Sequence, residues 1–533
     1  MSLEYDRIPL SEIPQFSKRD LAYIREDAAL RPFYKYTVHI DSFAQVIADK
    51  EKENIPRELL VEVLEGQYAS LSENEKVNAN IRALSAKNCF TVVTAHQPVL
   101  FTGPLYYIYK ILSTIRLTKE LTAHYPAYRF VPVFVSGAED HDFEEVNHAT
   151  IFGKKLIWEN DEKGPVGKMS TRSLVPVLKV LKEILGEHGA AKQIYTLIEN
   201  AYTSKDSYGE ATLELVHELF KDFGLVVLDM SHPKLKQVAI PIFERELLES
   251  PSEGLVKESI EALKERGYKA QAMPREINLF YIKEQLRERT VREKGKYRVL
   301  NTDIEFSKEE IVKELHKYPE RFSPNVILRP LYQELILPNL GYVGGGGEIA
   351  YWLERKKQFE YFGINFPMLI RRSSAMILSR SAMKKKEKLG LSVSDLFSDS
   401  EELIKTYLHK NAETNLHLDK ERARLVQIYE GIAQKAKEVD PTLERAVKAE
   451  ASKQEKSLRQ LEARFVKAEK RKQDLQVSQL RKLQEQLFPQ HSLQERKVNF
   501  LSFYTNIGEG LFKEMEAALN PLQKDFLIFQ EEA

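Results

Sequence analysis

Unbroken apolar runs, rather than alternating ones, mark the strands of this chain. Residues 89–95 (CFTVVTA), 129–137 (RFVPVFVSG) and 224–233 (GLVVLDMSHP) are rich in β-branched and aromatic residues and end in polar turns. Strands buried on both faces read this way, and they belong to parallel sheets. Residues 104–122 set Leu105, Ile108, Ile111, Leu112, Ile115 and Leu121 near a 3.6-residue period, which predicts a helix. Strand, helix and strand with a short crossover make a βαβ unit. INLFYIK (277–283), NVILRP (325–330) and FPMLIRR (366–372) are further strand candidates with helices between them. The pattern predicts an α/β fold, doubly wound and broken by insertions, over residues 1–392. One insertion is expected at about 150–222, with a short strand (TIFGKKLIWE), a Gly-Pro turn and two polar helices, and a second at about 253–322.

The pattern changes near residue 393. Glycine nearly vanishes, and 393–488 reads as an α-helical coiled coil. Residues 419–439 carry Leu425, Ile428 and Ile432 on one helical face, and Asp440-Pro441-Thr442 then interrupts. Residues 442–487 contain neither Gly nor Pro, which predicts one helix of roughly 69 Å. Leu458, Leu461, Phe465, Ala468 and Leu475 form a heptad seam on it. The first helix is too short to cover that seam, so a homodimer through the coiled coil is expected. Residues 489–533 read as a segment returning to the core.

Composition narrows the classes. Lys+Arg and Asp+Glu are both 79, so a chain-wide basic field for nucleic acid is excluded. The single cysteine, Cys89, cannot form an intrachain disulfide, which suits a reducing, cytoplasmic compartment. The charged start MSLEYDRIPL and the lack of an apolar window of membrane-spanning length predict neither a signal peptide nor a membrane span.

Three stretches carry candidate chemistry. His96-Gln97-Pro98 with Gly103-Pro104 lies between the first strand and its helix, where open α/β sheets meet ligands. A satisfied polar turn is the other reading. Glu139, Asp140, His141 and Asp142, in GAEDHDFEE, follow the second strand and would perturb one another's ionisation, as acid–base work requires. An acidic helix start is the alternative. Gly344 to Gly347, then Glu348, Tyr351 and Trp352, make a glycine-rich helix start of the kind that cradles anions, although it is not a P-loop. Lys168-Met169-Ser170-Thr171 is similar to the start of the KMSKS signature of class I aminoacyl-tRNA synthetases, but its place inside the insertion argues for chance.

TAHQPVLFTGPLYYIYK, SGAEDHDFEEVNH, SPNVILRPLYQELILPNLGYVGGGGEIAYW and LFPQHSLQER together resemble the bacillithiol biosynthesis cysteine-adding enzymes, a family of class I synthetase-like ligases. The resemblance spans nearly the whole chain. It implies a Rossmann-like core with inserted connective domains and a dimerising coiled coil. It also implies addition of L-cysteine to the amino group of glucosaminyl-malate, the last step to bacillithiol. Matched position puts His96, Gln97 and Gly103-Pro104 in the nucleotide-like cleft, Glu139 to Asp142 on its rim and Gly344 to Glu348 opposite; with the reading of the residues above, His96, Asp140, His141 and Asp142 become the catalytic candidates. Gln97, Gly103, Pro104, Glu139, Gly344, Gly345, Gly346, Gly347, Glu348, Tyr351 and Trp352 become the substrate- or nucleotide-binding ones. An adenine nucleotide such as ATP is the expected cofactor. No metal is expected, because one cysteine cannot build a thiolate zinc site. A runner-up reading is a synthetase-like module that grips tRNA with its helical arm. Residues 442–487 carry 12 Lys/Arg against 7 Asp/Glu, but the charges interleave as i,i+4 pairs and no aromatic platform accompanies them. No nucleic-acid or membrane partner is expected.

Overall fold

The computed structural model describes residues 3–412 and 416–531. The expected helical segment from 393 and the C-terminal segment therefore each include a few residues outside the described ones. The chain divides into two compact units, 1–377 with 492–533, and 378–491.

The first unit is built on five parallel strands: β1 (Cys89–His96), β2 (Arg129–Ser136), β3 (Val226–Asp229), β4 (Asn339–Gly344) and β5 (Met368–Arg371), in the order β5-β4-β1-β2-β3. β1 and β2 pair over their whole length, from Cys89 with Arg129 to His96 with Ser136. Alternate residues of β2 point to opposite faces, as a strand requires. Val131, Val133 and Val135 join one core, and Phe134 packs into the other with helix α1 (Leu105–His124). This is a Rossmann-like, doubly wound sheet, as the apolar runs predict.

Four expected elements differ. TIFGKKLIWE is a hairpin, His148–Ile151 with Lys154–Ile157, because Phe152 and Gly153 both take positive φ and reverse the chain in two residues. Three helices follow it, not two: Val175–Leu185, Gly189–Thr203 and Tyr208–Phe220. NVILRP is not a strand. Asn325 turns the chain, its side chain accepting from Ile327 N at 2.8 Å, and Pro330 sits in the first turn of the helix Arg329–Ile336. The strand that pairs with β1 on that side is instead β4, which the sequence shows only as part of a glycine cluster. INLFYIK does form a strand, Leu279–Lys283, but within an antiparallel sheet from the second insertion that also holds Leu286–Glu293 and Lys296–Val299.

The second unit is helical. Asp419–Val439 and Leu443–Lys472 pack side by side as a hairpin about the turn at 440–442. The long helix is not continuous: it breaks at Gln473, and a separate helix, Asp474–Leu487, follows. Glu444 with Lys448 and Glu455 with Arg459 form i,i+4 ion pairs, each 2.6 Å. The basic residues of this arm are thus partly spent within it. Among the described residues, no helix is long and apolar enough to cross a membrane.

Candidate active site

The winding of the sheet reverses between β1 and β4. Helix α1 leaves β1 and packs Leu105 and Ile108 on one face. Helix α2 (Gly346–Trp352) leaves β4 and packs Ile349 and Trp352 on the other. Such a switch point opens a crevice at the carboxyl ends of the strands. A cavity of about 780 Å³ lies there. It draws His96 and Gln97 from the end of β1, Glu139 and Asp140 from beyond β2, and Asp229 from the end of β3. The loop after β4, Arg372 after β5, and Arg287 from the antiparallel insertion close it.

His96 enters the cavity as a neutral ring. Its Nδ1–H donates to Gln97 O at 3.1 Å, so Nε2 accepts from the Tyr106 hydroxyl, also at 3.1 Å. Burial first, and then the Lys110 ammonium, lower its pKa to about 4. Gln97 Nε2 donates to Asp140 Oδ2 at 2.6 Å. Burial opposes the charge on Asp140, but His141, Arg287 and Gln97 outweigh it and hold the carboxyl well below the usual range. Asp140 is therefore a fixed anion. Glu139 pairs with the buried Lys236 at 2.8 Å. Asp229 behaves oppositely. Desolvation, with the neighbouring Glu139 charge, raises its pKa against the Ser231 amide and Lys236. Glu145 is raised too, by desolvation and then by Asp142 and Asp140.

The glycine loop is not an open anion cradle. Glu348 reaches back to accept from Gly345 N at 3.0 Å, the carboxylate half of a capping box. Its other oxygen accepts from Lys110 at 2.8 Å and from Tyr342 OH at 2.6 Å. A Cβ on Gly346 would lie 2.5 Å from Asp20 Cγ, and Asp20 is clamped by two nitrogens of Arg371 at 3.2 Å each. Two carboxylates thus stand where a bound anion would be expected. Gly346→Ala should displace Asp20 from Arg371 and cost about 1–3 kcal/mol, read as a lower urea midpoint at unchanged slope. An unchanged midpoint would show that the loop has room.

Of the residues foreseen, His96, Gln97, Glu139, Asp140, Gly345, Gly346, Gly347, Glu348 and Tyr351 line the cavity. Six do not. Gly103 has φ +64°, and a Cβ there would meet Val99 Cγ1 at 2.7 Å, so it serves the turn. Pro104 follows it, and Asn499 from the returning C-terminal segment donates to Phe101 O and Gly103 O at 2.8 and 2.7 Å. The C-terminal segment, not a ligand, occupies the start of α1. His141 faces Phe280, with ring centroids 5.3 Å apart, and accepts from Arg287. Asp142 only precedes the short helix Phe143–Val146. Gly344 is buried in β4, and Trp352 packs against Tyr342 and Phe359 in the core. Met169 is buried and Ser170 caps a local turn, so the synthetase-like tetrad lies outside the cavity. Asp229, Arg287, Arg329 and Arg372 were not foreseen. Arg372 ends a predicted strand run and Asp229 begins the polar end of another, and that position at the carboxyl edge was the available signal.

The family model for the bacillithiol biosynthesis BshC N-terminal Rossmann-like domain matches residues 3–373, and that for the BshC C-terminal coiled-coil domain matches 375–531. This chain belongs to the BshC family. The protein named "Putative cysteine ligase BshC" from Flavobacterium johnsoniae is 43% identical over 515 residues, covering 96% of this chain and 97% of that one. Its namesake in Cytophaga hutchinsonii is 35% identical, covering 97% of each. A solved structure titled as an arginyl-tRNA synthetase of Campylobacter jejuni covers 83% of this chain and 98% of that one at 12% identity and a TM-score of 0.21, too loose to weigh. The BshC models divide the chain close to the structural boundary at Leu378, ahead of the composition change near 393.

Proposed function

We propose that this chain is an amide-forming ligase that joins the carboxyl group of L-cysteine to the amino group of glucosaminyl-malate, the last step of bacillithiol biosynthesis. Membership of the BshC family supplies the reaction class. The observation that carries the substrate reading is the division of charge in the cavity. Glu139, Asp140, Glu145 and Asp229 follow β2 and β3 with a single arginine, Arg287, against Asp140, whereas Arg329, Arg372 and Arg496 lie toward β4 and β5 with a single carboxylate, Glu348. Both substrates are zwitterionic. Ammonium groups suit the first side, and the carboxylates of cysteine and malate suit the second.

Asp140, fixed as an anion by Gln97 and Arg287, anchors an ammonium group. Asp229, whose surroundings favour proton uptake, takes the proton from the amine as it attacks. A free carboxylate needs activation before it forms an amide; an adenine nucleotide would supply it, with a phosphate-bearing group leaving as the C–N bond forms. The arginines fit its phosphates better than the glycine loop does, since Glu348 and Asp20 already occupy that loop.

The test is product mass after incubation with L-cysteine and glucosaminyl-malate, with and without ATP. No product under any nucleotide would sink the ligase reading. Asp140→Asn should raise KM for the amine substrate about 10–100-fold, the worth of one charged hydrogen bond. An unchanged KM removes Asp140 from ammonium binding.

The coiled coil is the dimer interface in this reading. Leu461, Phe465 and Leu475 are 39%, 44% and 65% exposed within one chain. The double variant Leu461→Asp/Phe465→Asp should be monomeric by light scattering at concentrations where the native chain is dimeric. A native chain that is monomeric at micromolar concentration overturns this.

A further inference from the structure

We propose that His409, His417 and Glu462, all in the helical unit, form a binding site for one divalent transition-metal ion of the Zn²⁺ class. The three come from separate segments. His409 lies in the last turn of the helix Ser400–Asn411, His417 precedes the helix Asp419–Val439, and Glu462 lies within Leu443–Lys472. The imidazoles stack with centroids 3.8 Å apart and planes 15° from parallel. His417 Nδ1 lies 3.4 Å from Glu462 Oε1, and one ligand atom from each of the three falls within 4.8 Å of the others. Tetrahedral zinc with imidazole and carboxylate ligands needs donor atoms roughly 3.4 Å apart. The stacked rings must turn out of their parallel planes to share an ion, which a change of side-chain torsion at either histidine allows. Asp419 Oδ2, 3.8 Å from His417 Nδ1, is the nearest further carboxylate.

A second observation points the same way. Both ring nitrogens of His409 are buried and have no hydrogen-bond partner among the described residues. Buried ring nitrogens without a partner are costly, and their usual remedies are water or a ligand. Two imidazoles and a carboxylate leave one coordination position for water or Asp419. The ion would tie the end of the helix Ser400–Asn411 and His417 to the long helix, a structural clip independent of the cavity chemistry.

The probe is ZnCl₂ titrated into untagged full-length chain after chelator treatment. Calorimetry and metal analysis of the desalted protein give the stoichiometry, and Co²⁺ absorption reports tetrahedral geometry. One ion per chain is expected, with a rise in melting temperature. His409→Ala and Glu462→Gln should each weaken binding roughly tenfold or more and abolish that rise. Should His409→Ala fail to fold, Glu462→Gln, which keeps the size and shape of a side chain only 13% exposed, carries the test. Native chain that retains no ion, or binding that both variants leave unchanged, overturns the proposal.

Discussion

Asp229→Asn is expected to lower kcat by about 10²–10⁴-fold, the usual contribution of a positioned general base, while KM and melting temperature change little. Asp229 lines the cavity at the end of β3, and its side chain accepts from Ser231 N at 2.9 Å. Asn keeps that bond and the shape but cannot take a proton. The pH profile separates this role from a structural one. The pKa of Asp229 is raised, so the active, deprotonated form is lost as pH falls, starting above the range of an ordinary carboxylate. The native kcat should therefore show an acid limb, rising with pH through that raised pKa, and Asp229→Asn should flatten it. Glu145, also raised, is the control. Glu145→Gln should keep the limb and most of the rate. If it removes the limb and Asp229→Asn does not, the base is Glu145.

The parts of this site legible in the sequence are those where local pattern and position coincide. A run such as CFTVVTA can only be a buried strand, and once β1 and β2 are parallel neighbours, the residues just past each strand must lie at the crevice. His96, Gln97, Glu139 and Asp140 are placed by that alone. His141 and Asp142 fail because successive residues of one loop point different ways, which spacing cannot resolve. Gly103-Pro104 fails for a longer-range reason: Asn499, almost 400 positions away in the chain, fills the place assigned to a ligand. β4 was hidden because NLGYVG has two glycines and an asparagine, weak strand formers that are tolerated where the strand is buried between two neighbours. Arg287 had no local signal at all, since only the packing of the inserted sheet brings it to Asp140, 3.4 Å away. Gln473 shows the converse limit: absence of Gly and Pro permits a continuous helix but does not impose one.

Glu348→Ala is expected to cost about 3–5 kcal/mol, the range for stripping a buried charge of its partner. Lys110 has no exposed side-chain surface, and its ammonium bonds only to Glu348 and Ala95 O among the contacts described. Removing Glu348 leaves that charge on a single carbonyl and also uncaps Gly345. Against a total stability of about 5–15 kcal/mol, the loss should be plain in urea denaturation. The cost belongs to breaking the pair rather than to the pair's own worth. Lys110→Met/Glu348→Leu should therefore recover most of it, whereas simple additivity would make the double variant worse than either single one. The same pair sets an acid limit. Burial opposes the Glu348 charge, but Lys110, Tyr342 and the Gly345 amide together lower its pKa from 4.5 to about 2. A depressed carboxyl contributes stability that is complete above its unfolded pKa and is lost as pH falls through the folded one. Glu348 should thus contribute about 3 kcal/mol at neutral pH, lost between about pH 5 and pH 2, and the Lys110→Met/Glu348→Leu protein should lack that part of the acid transition. A double variant that unfolds along the native acid curve would show that the pair is not what fails in acid.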